Sequence, residues 1–190
     1  MKKEVEIEIS ARHVHLSEED YKLLFGSEKF SNLKELSQKN QFVTDKNVTL
    51  YGPKGSVSAR FLSPFRQISQ VELSLTDCIE LGIEAPYKIS ADNQATGIKI
   101  VGSTDEIVRN AAIIAKRHLH LNPDDAKELG IQDRDLISVV SKTDRGKIIF
   151  EDVVARISDD YQLRVHLDTD EGNAAGIEGK IIGELISKKD

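Results

Sequence analysis

One phrase occurs twice in this chain, and that repetition limits the fold more than any other feature. Ala11-Arg12-His13-Val14-His15-Leu16-Ser17, followed by acidic residues, recurs as Lys116-Arg117-His118-Leu119-His120-Leu121-Asn122, followed by Pro123 and acidic residues. The offset is 105 residues. A second pair of landmarks matches at an offset of 94: Val71-Glu72-Leu73 with Val165-His166-Leu167, and Leu81-Gly82-Ile83 with Ala175-Gly176-Ile177. The second copy is therefore 11 residues shorter between its landmarks. Two copies of one supersecondary unit predict a pseudo-symmetric protein.

The units read as mainly β. Val5-Glu6-Ile7-Glu8-Ile9 puts three apolar side chains on one face and two glutamates on the other. Asn47–Tyr51 and Ser56–Leu62 flank Gly52-Pro53-Lys54-Gly55, a hairpin turn with no phosphate-loop context. Gln70–Leu75 and Leu163–Asp168 alternate cleanly, and Ser138–Val140 and Ile148–Phe150 flank a second turn. Two helices announce themselves. Ser17 caps an acidic first turn that Gly26 can close, and Asn122-Pro123 opens another that ends at Gly130. Short strands, turns and few helices predict β-barrels or sandwiches with helical caps.

Composition narrows the function classes. The 190 residues are 39% hydrophobic, with a net charge of −6, which suits a packed chain without a basic nucleic-acid surface. No run approaches the roughly 20 apolar residues of a membrane span, and Met1-Lys2-Lys3 leads into a polar alternation, not a secretory core. The single cysteine, Cys78, reads as a small buried hydrophobe in a reducing compartment. A cytoplasmic protein without membrane or nucleic-acid partners is expected.

All five histidines fall inside the repeat landmarks. In extended backbone, residues i and i+2 share a face, so each His-x-His presents two imidazoles side by side while Val14 and Leu119 point to a core. Chance would supply on the order of 0.1 such pairs at this composition. Neutral imidazole is a zinc ligand, and catalytic zinc takes three protein ligands plus an open position. The repeat offers the third: Glu72 for the first copy, His166 for the second. That gives His13/His15/Glu72 and His118/His120/His166, or a mixed assignment if the halves exchange strands.

At His13-Val14-His15, Arg117-His118-Leu119-His120 and Arg164-Val165-His166-Leu167-Asp168-Thr169-Asp170-Glu171-Gly172-Asn173-Ala174-Ala175-Gly176, the sequence resembles the PduL-type phosphotransacylases, the phosphate propanoyltransferases of propanediol utilisation. The resemblance runs from Ile9 to about Leu185. It implies two interwoven barrels, residues 2–11 with 116–188 and residues 12–115, with a metal site between them. It also implies two Zn²⁺ per chain on the six ligands already named. Arg66 is then the phosphate-engaging arginine, Ser90 a serine near the metals, and Ser10, Lys34, Arg60, Leu62 and Asn173 the coenzyme A contacts.

The implied reaction converts acyl-CoA (propanoyl or acetyl) and phosphate to acyl phosphate and CoA, reversibly. An acyl kinase is the implied metabolic partner, and a homo-oligomer is compatible with the family. Fewer than ten residues precede Ser10, which leaves little room for an encapsulation helix and favours the cytoplasm over a bacterial microcompartment. Two rivals share the ligands. A zinc-dependent hydrolase of a thioester or related ester would activate water with Asp168 or Asp170 as base, and a metal-stabilised structural module would saturate each metal with four ligands.

Overall fold

Alternating side chains write most of this molecule. The computed structural model describes residues 2–90 and 94–186, and among them fourteen strands and four helices of seven or eight residues follow one another. In chain order they are β1 (Lys2–Ile9), β2 (His13–His15), α1 (Glu18–Phe25), β3 (Asn32–Glu35), β4 (Phe42–Tyr51), β5 (Ser56–Ser63), β6 (Gln70–Leu73), α2 (Leu75–Leu81) and β7 (Tyr87–Lys88). There follow β8 (Thr96–Val101), β9 (Glu106–Ala115), β10 (His118–Leu121), α3 (Pro123–Leu129), β11 (Leu136–Thr143), β12 (Gly146–Ile157), β13 (Arg164–Leu167), α4 (Thr169–Ala175) and β14 (Lys180–Ile186). Among the described residues no helix is long and apolar enough to cross a membrane.

The chain divides into two compact units, Ala11–Ala115 and Met1–Ser10 with Lys116–Asp190. Residues 91–93 and the stretch to 188, both inside the expected barrel limits, lie outside the described residues. In the second unit the order β1-β13-β10-β12-β11-β14 closes into a barrel. In the first, β4-β5-β2-β6-β9-β8 also closes, because β8 pairs with both β9 and β4. β3 and β7 are appended to β4 and β9.

The two rings share one plan. β2 runs parallel to β5 as β10 does to β12, and β9 runs parallel to β6 as β1 does to β13. Thus β1 precedes β2 in sequence yet completes the other unit's barrel.

Each barrel closes over its own core. Val14, Phe61, Val71 and Ile114 belong to one, and Ile7, Leu119, Val165 and Leu167 to the other. Cys78, 1% exposed, packs into the first core. Register shifts between Val43 and Asn47 and between Ile137 and Val139 bend the long hairpins toward closure. The Gly52 N–H donates to the Gly55 carbonyl at 3.0 Å, as the hairpin reading requires. A Cβ at Gly52 would lie 2.2 Å from the Leu81 carbonyl oxygen, so only glycine lets this turn meet the end of α2.

The helices α2 and α4 depart from the alternation read over Gln70–Leu75 and Leu163–Asp168. The strands stop at Leu73 and Leu167 because the next residue caps a helix. Ser74 accepts from the Asp77 N–H and Asp168 from the Glu171 N–H, each in a capping box.

Candidate functional site

Strand pairing decides which ligand-type residues meet. β2 and β6 are antiparallel with His13 opposite Glu72 and His15 opposite Gln70. β10 and β13 are antiparallel with His118 opposite His166 and His120 opposite Arg164. Each set of three therefore gathers within one unit, in the same register. With Val14, Val71, Leu119 and Val165 directed to the cores, the alternating positions face the other side of each sheet.

In the first set the donor atoms of His13, His15 and Glu72 all lie within 4.8 Å of one another. His13 Nε2 is 3.5 Å from one Glu72 oxygen and His15 Nε2 is 3.9 Å from the other. All three side chains are buried. In the second set the ring centroids are 4.6 Å apart for His118–His120, 4.8 Å for His120–His166 and 5.1 Å for His118–His166.

The leading histidine of each pair is held alike. His13 Nδ1 lies 2.9 Å from the Ala11 carbonyl and His118 Nδ1 lies 2.8 Å from the Lys116 carbonyl. A carbonyl only accepts, so each Nδ1 carries the proton and each neutral ring keeps its lone pair on Nε2, which in His13 lies toward Glu72.

The electrostatics suit a cation. Burial drives His15 well below its ordinary 6.5, and the nearby Arg66 and His13 charges push the same way. Burial lowers His120 too, with His118, His166 and Arg156 adding to it. Burial alone would raise Glu72. The pull of His13 and His15, the nearby Ser90 hydroxyl and the Arg66 charge outweigh it and bring Glu72 to about 2. Burial thus disfavours a proton on His15 and His120, and the first set adds a carboxylate. Imidazole N and carboxylate O are donor types that zinc accepts, and His13, His15 and Glu72 are close enough together to share one metal ion.

Arg66 stands beside the first set. Its backbone N–H donates to the Leu16 carbonyl at 2.9 Å, and Phe65 packs among Tyr21, Phe30 and Phe61 at centroid distances of 5.2–5.8 Å. The guanidinium Nη1 donates to Ser90 Oγ at 2.8 Å, and Ser90 Oγ donates to Gln70 Oε1 at 3.2 Å. Two residues here are invisible to sequence reasoning. Gln70 reads only as a strand residue, and Tyr161, whose ring stacks on His120 at 3.9 Å, lies in a loop with no motif.

The remaining predicted contacts fall into two groups. Arg60 pairs with His13 across β2 and β5 and donates from Nη1 to the Thr44 carbonyl at 3.1 Å. Lys34 on β3 and Leu62 on β5 both pair with Val43 of β4, so this row joins three adjacent strands. Lys34 is exposed and Leu62 is 8% exposed. In the other unit, the Ser10 N–H donates to the Leu167 carbonyl at 2.8 Å, and Asn173 is exposed on α4. Gly172 lets α4 approach β1 here, for a Cβ would stand 2.4 Å from Ile9 Cδ1.

Comparison with known proteins places the chain in a family. A family model described as phosphate propanoyltransferase matches residues 6–178. A phosphate propanoyltransferase of Alkaliphilus metalliredigens (strain QYMF) is 44% identical over 187 residues, spanning 96% of this chain and 88% of the relative. Phosphate propanoyltransferases of Thermotoga maritima and Salmonella typhimurium are each 43% identical over 171 residues, spanning 88% of this chain and 81% of the relative. The chain therefore belongs to the phosphate propanoyltransferase family and is an acyltransferase enzyme.

Proposed function

We propose that the chain transfers an acyl group reversibly between coenzyme A and phosphate, with propanoyl-CoA or acetyl-CoA as acyl donor, at two zinc centres. His13, His15 and Glu72 would hold one zinc, and His118, His120 and His166 the other. The observation that carries this reading is the shared register, His13 opposite Glu72 and His118 opposite His166, with Arg66 beside the first set. Zinc in three-ligand centres supplies an open position, Lewis acidity toward a thioester carbonyl and positive charge for a thiolate or phosphate.

The chain's own residues do the rest. Arg66 presents a planar fork that matches phosphate bidentately. Ser90, accepting from Arg66 and donating to Gln70, fixes that fork so that a phosphate oxygen is aimed before reaction. Attack forms the new C–O bond and breaks the C–S bond, releasing CoA as thiolate. Phosphate dianion is already deprotonated near neutral pH and needs no general base. Lys34, Arg60, Leu62, Ser10 and Asn173 would hold coenzyme A. In this reading the enzyme works in the cytoplasm and hands acyl phosphate to an acyl kinase.

A zinc-dependent thioester hydrolase would use the same ligands. Incubation with propanoyl-CoA, with and without phosphate, separates the two. Phosphate-dependent CoA release with one acyl phosphate trapped as hydroxamate per CoA is expected. Equal CoA release without phosphate, with free acid as product, would establish the hydrolase instead.

A further inference from the structure

The geometry points to Arg12 and Arg117 as positioning residues that set the leading histidine of each centre, a role built twice into the fold. This inference rests on reading those histidines as zinc ligands. Arg12 Nη1 donates to Asp77 Oδ1 at 2.6 Å and its Nε to the Ser58 carbonyl at 2.9 Å. Arg117 does the same with the same atoms. Its Nη1 donates to Glu171 Oε1 at 2.8 Å and its Nε to the Glu151 carbonyl at 2.6 Å.

Three features make this more than a pair of surface ties. First, each acceptor carboxylate is the third residue of the helix that follows the third ligand. Its other oxygen accepts the N–H of the helix cap, Ser74 at 3.0 Å and Asp168 at 3.1 Å. Those caps lie two residues beyond Glu72 and His166. Second, each Nε grips the parallel neighbour strand, β5 or β12. The arginine therefore joins the strand of the His-x-His pair, its neighbour and the start of the helix beyond the third ligand. Third, the peptide carbonyl entering each arginine, that of Ala11 or Lys116, is the acceptor for Nδ1 of the next histidine. Fixing the arginine fixes that carbonyl, and the carbonyl selects the tautomer and ring angle that aim Nε2 at the centre.

A merely structural ion pair would leave the imidazole alone, and the molecule contains a control. Arg109 Nη2 donates to buried Asp20 at 2.6 Å, with the arginine 40% exposed against 41% for Arg12, and it reaches none of the ligands. The full-length protein is prepared as wild type and as Arg12→Ala, Arg117→Ala and Arg109→Ala. Arg12→Lys and Arg117→Lys serve if the alanine variants do not fold. Zn²⁺ affinity is read by competition with a chromophoric chelator, thermal stability by calorimetry, and the imidazole tautomers of the metal-free protein by ¹⁵N NMR.

Arg12→Ala should weaken one Zn²⁺ step about 10- to 100-fold and Arg117→Ala the other. Each should also shift its own histidine, His13 or His118, from a pure Nδ1–H form to a tautomer mixture. Arg109→Ala should lower stability with both Zn²⁺ steps and both tautomers intact, and each lysine variant should show the same site-specific shift at smaller amplitude. Wild-type Zn²⁺ affinity and tautomers in the arginine variants, or an equal Zn²⁺ loss in Arg109→Ala, would overturn the inference. If wild-type protein binds no Zn²⁺, the metal reading of the site falls, while the tautomer shift still decides the positioning role.

Discussion

Replacing Arg66 by alanine separates three roles that one guanidinium beside a buried carboxylate could play. Its side chain donates a part-buried hydrogen bond to Ser90, and losing such a bond costs about 0.5–1.5 kcal/mol of stability. In a protein of this length each kcal/mol lowers the melting temperature by about 2–4 °C. A charge-assisted contact to phosphate contributes about 1.5–3 kcal/mol, so the phosphate KM should rise roughly 10- to 150-fold. Zinc affinity should move the other way or not at all. The Arg66 charge acts against a proton on His15, so removing it takes a repelling cation away from the centre. Arg66→Lys should fall between, keeping the charge but losing the fork. The assay is initial CoA release from propanoyl-CoA over a phosphate series, with zinc content measured on the same samples. An unchanged phosphate KM in folded Arg66→Ala, or a loss of zinc that accounts for the kinetic defect, refutes the reasoning.

Three further outcomes are expected. Purified protein should carry close to two zinc ions per chain by mass-spectrometric metal analysis, and removing them with a chelator should abolish acyl transfer until zinc is restored. Glu72→His should keep metal while altering thiolate release, and His166→Glu should raise the phosphate KM. A carboxylate takes one positive charge from a Zn²⁺ centre that neutral imidazoles leave untouched, and kinetics in both directions on metal-verified variants test this. Metal-free protein should lose stability as pH falls below about 6.5. There the unfolded chain takes up protons that the buried His15 and His120 refuse. Glu72 at about 2 extends the loss below its ordinary 4.5. Melting temperatures at pH 7.5 and 5.5 that coincide would contradict it.

How much was legible follows from what is local and what is not. His13-Val14-His15 is legible because two residues of extended chain always share a face. Glu72 and His166 are legible because a duplicated unit keeps its register, so the position opposite the leading histidine recurs. The capped helices α1 and α3 are legible from Ser17 and Asn122. By contrast, the starts of α2 and α4 are masked at the ends of alternating runs, since Ser74 and Asp168 are polar at the very positions where the alternation also expects polar residues. β8, β9 and β14 escape because their closure of the rings is a pairing between distant segments. Ser90 meets Arg66 across 24 residues, and Tyr161 meets His120 across a loop. Neither contact has a period.

The exchange of β1 has a consequence during synthesis. The strand leaves the ribosome before the other described strands, but its partners β13 and β14 span Arg164–Leu167 and Lys180–Ile186. At about 5–20 residues per second, β1 waits on the order of ten to thirty seconds with both edges bare, while the barrel of Ala11–Ala115 already has every strand it needs. Bare edges invite pairing with other chains. Lys2, Lys3, Glu4, Glu6 and Glu8 place five charges along this eight-residue strand, and charge on an unpaired edge discourages such pairing. The strand that arrives earliest and is used last thus carries its own protection for the interval.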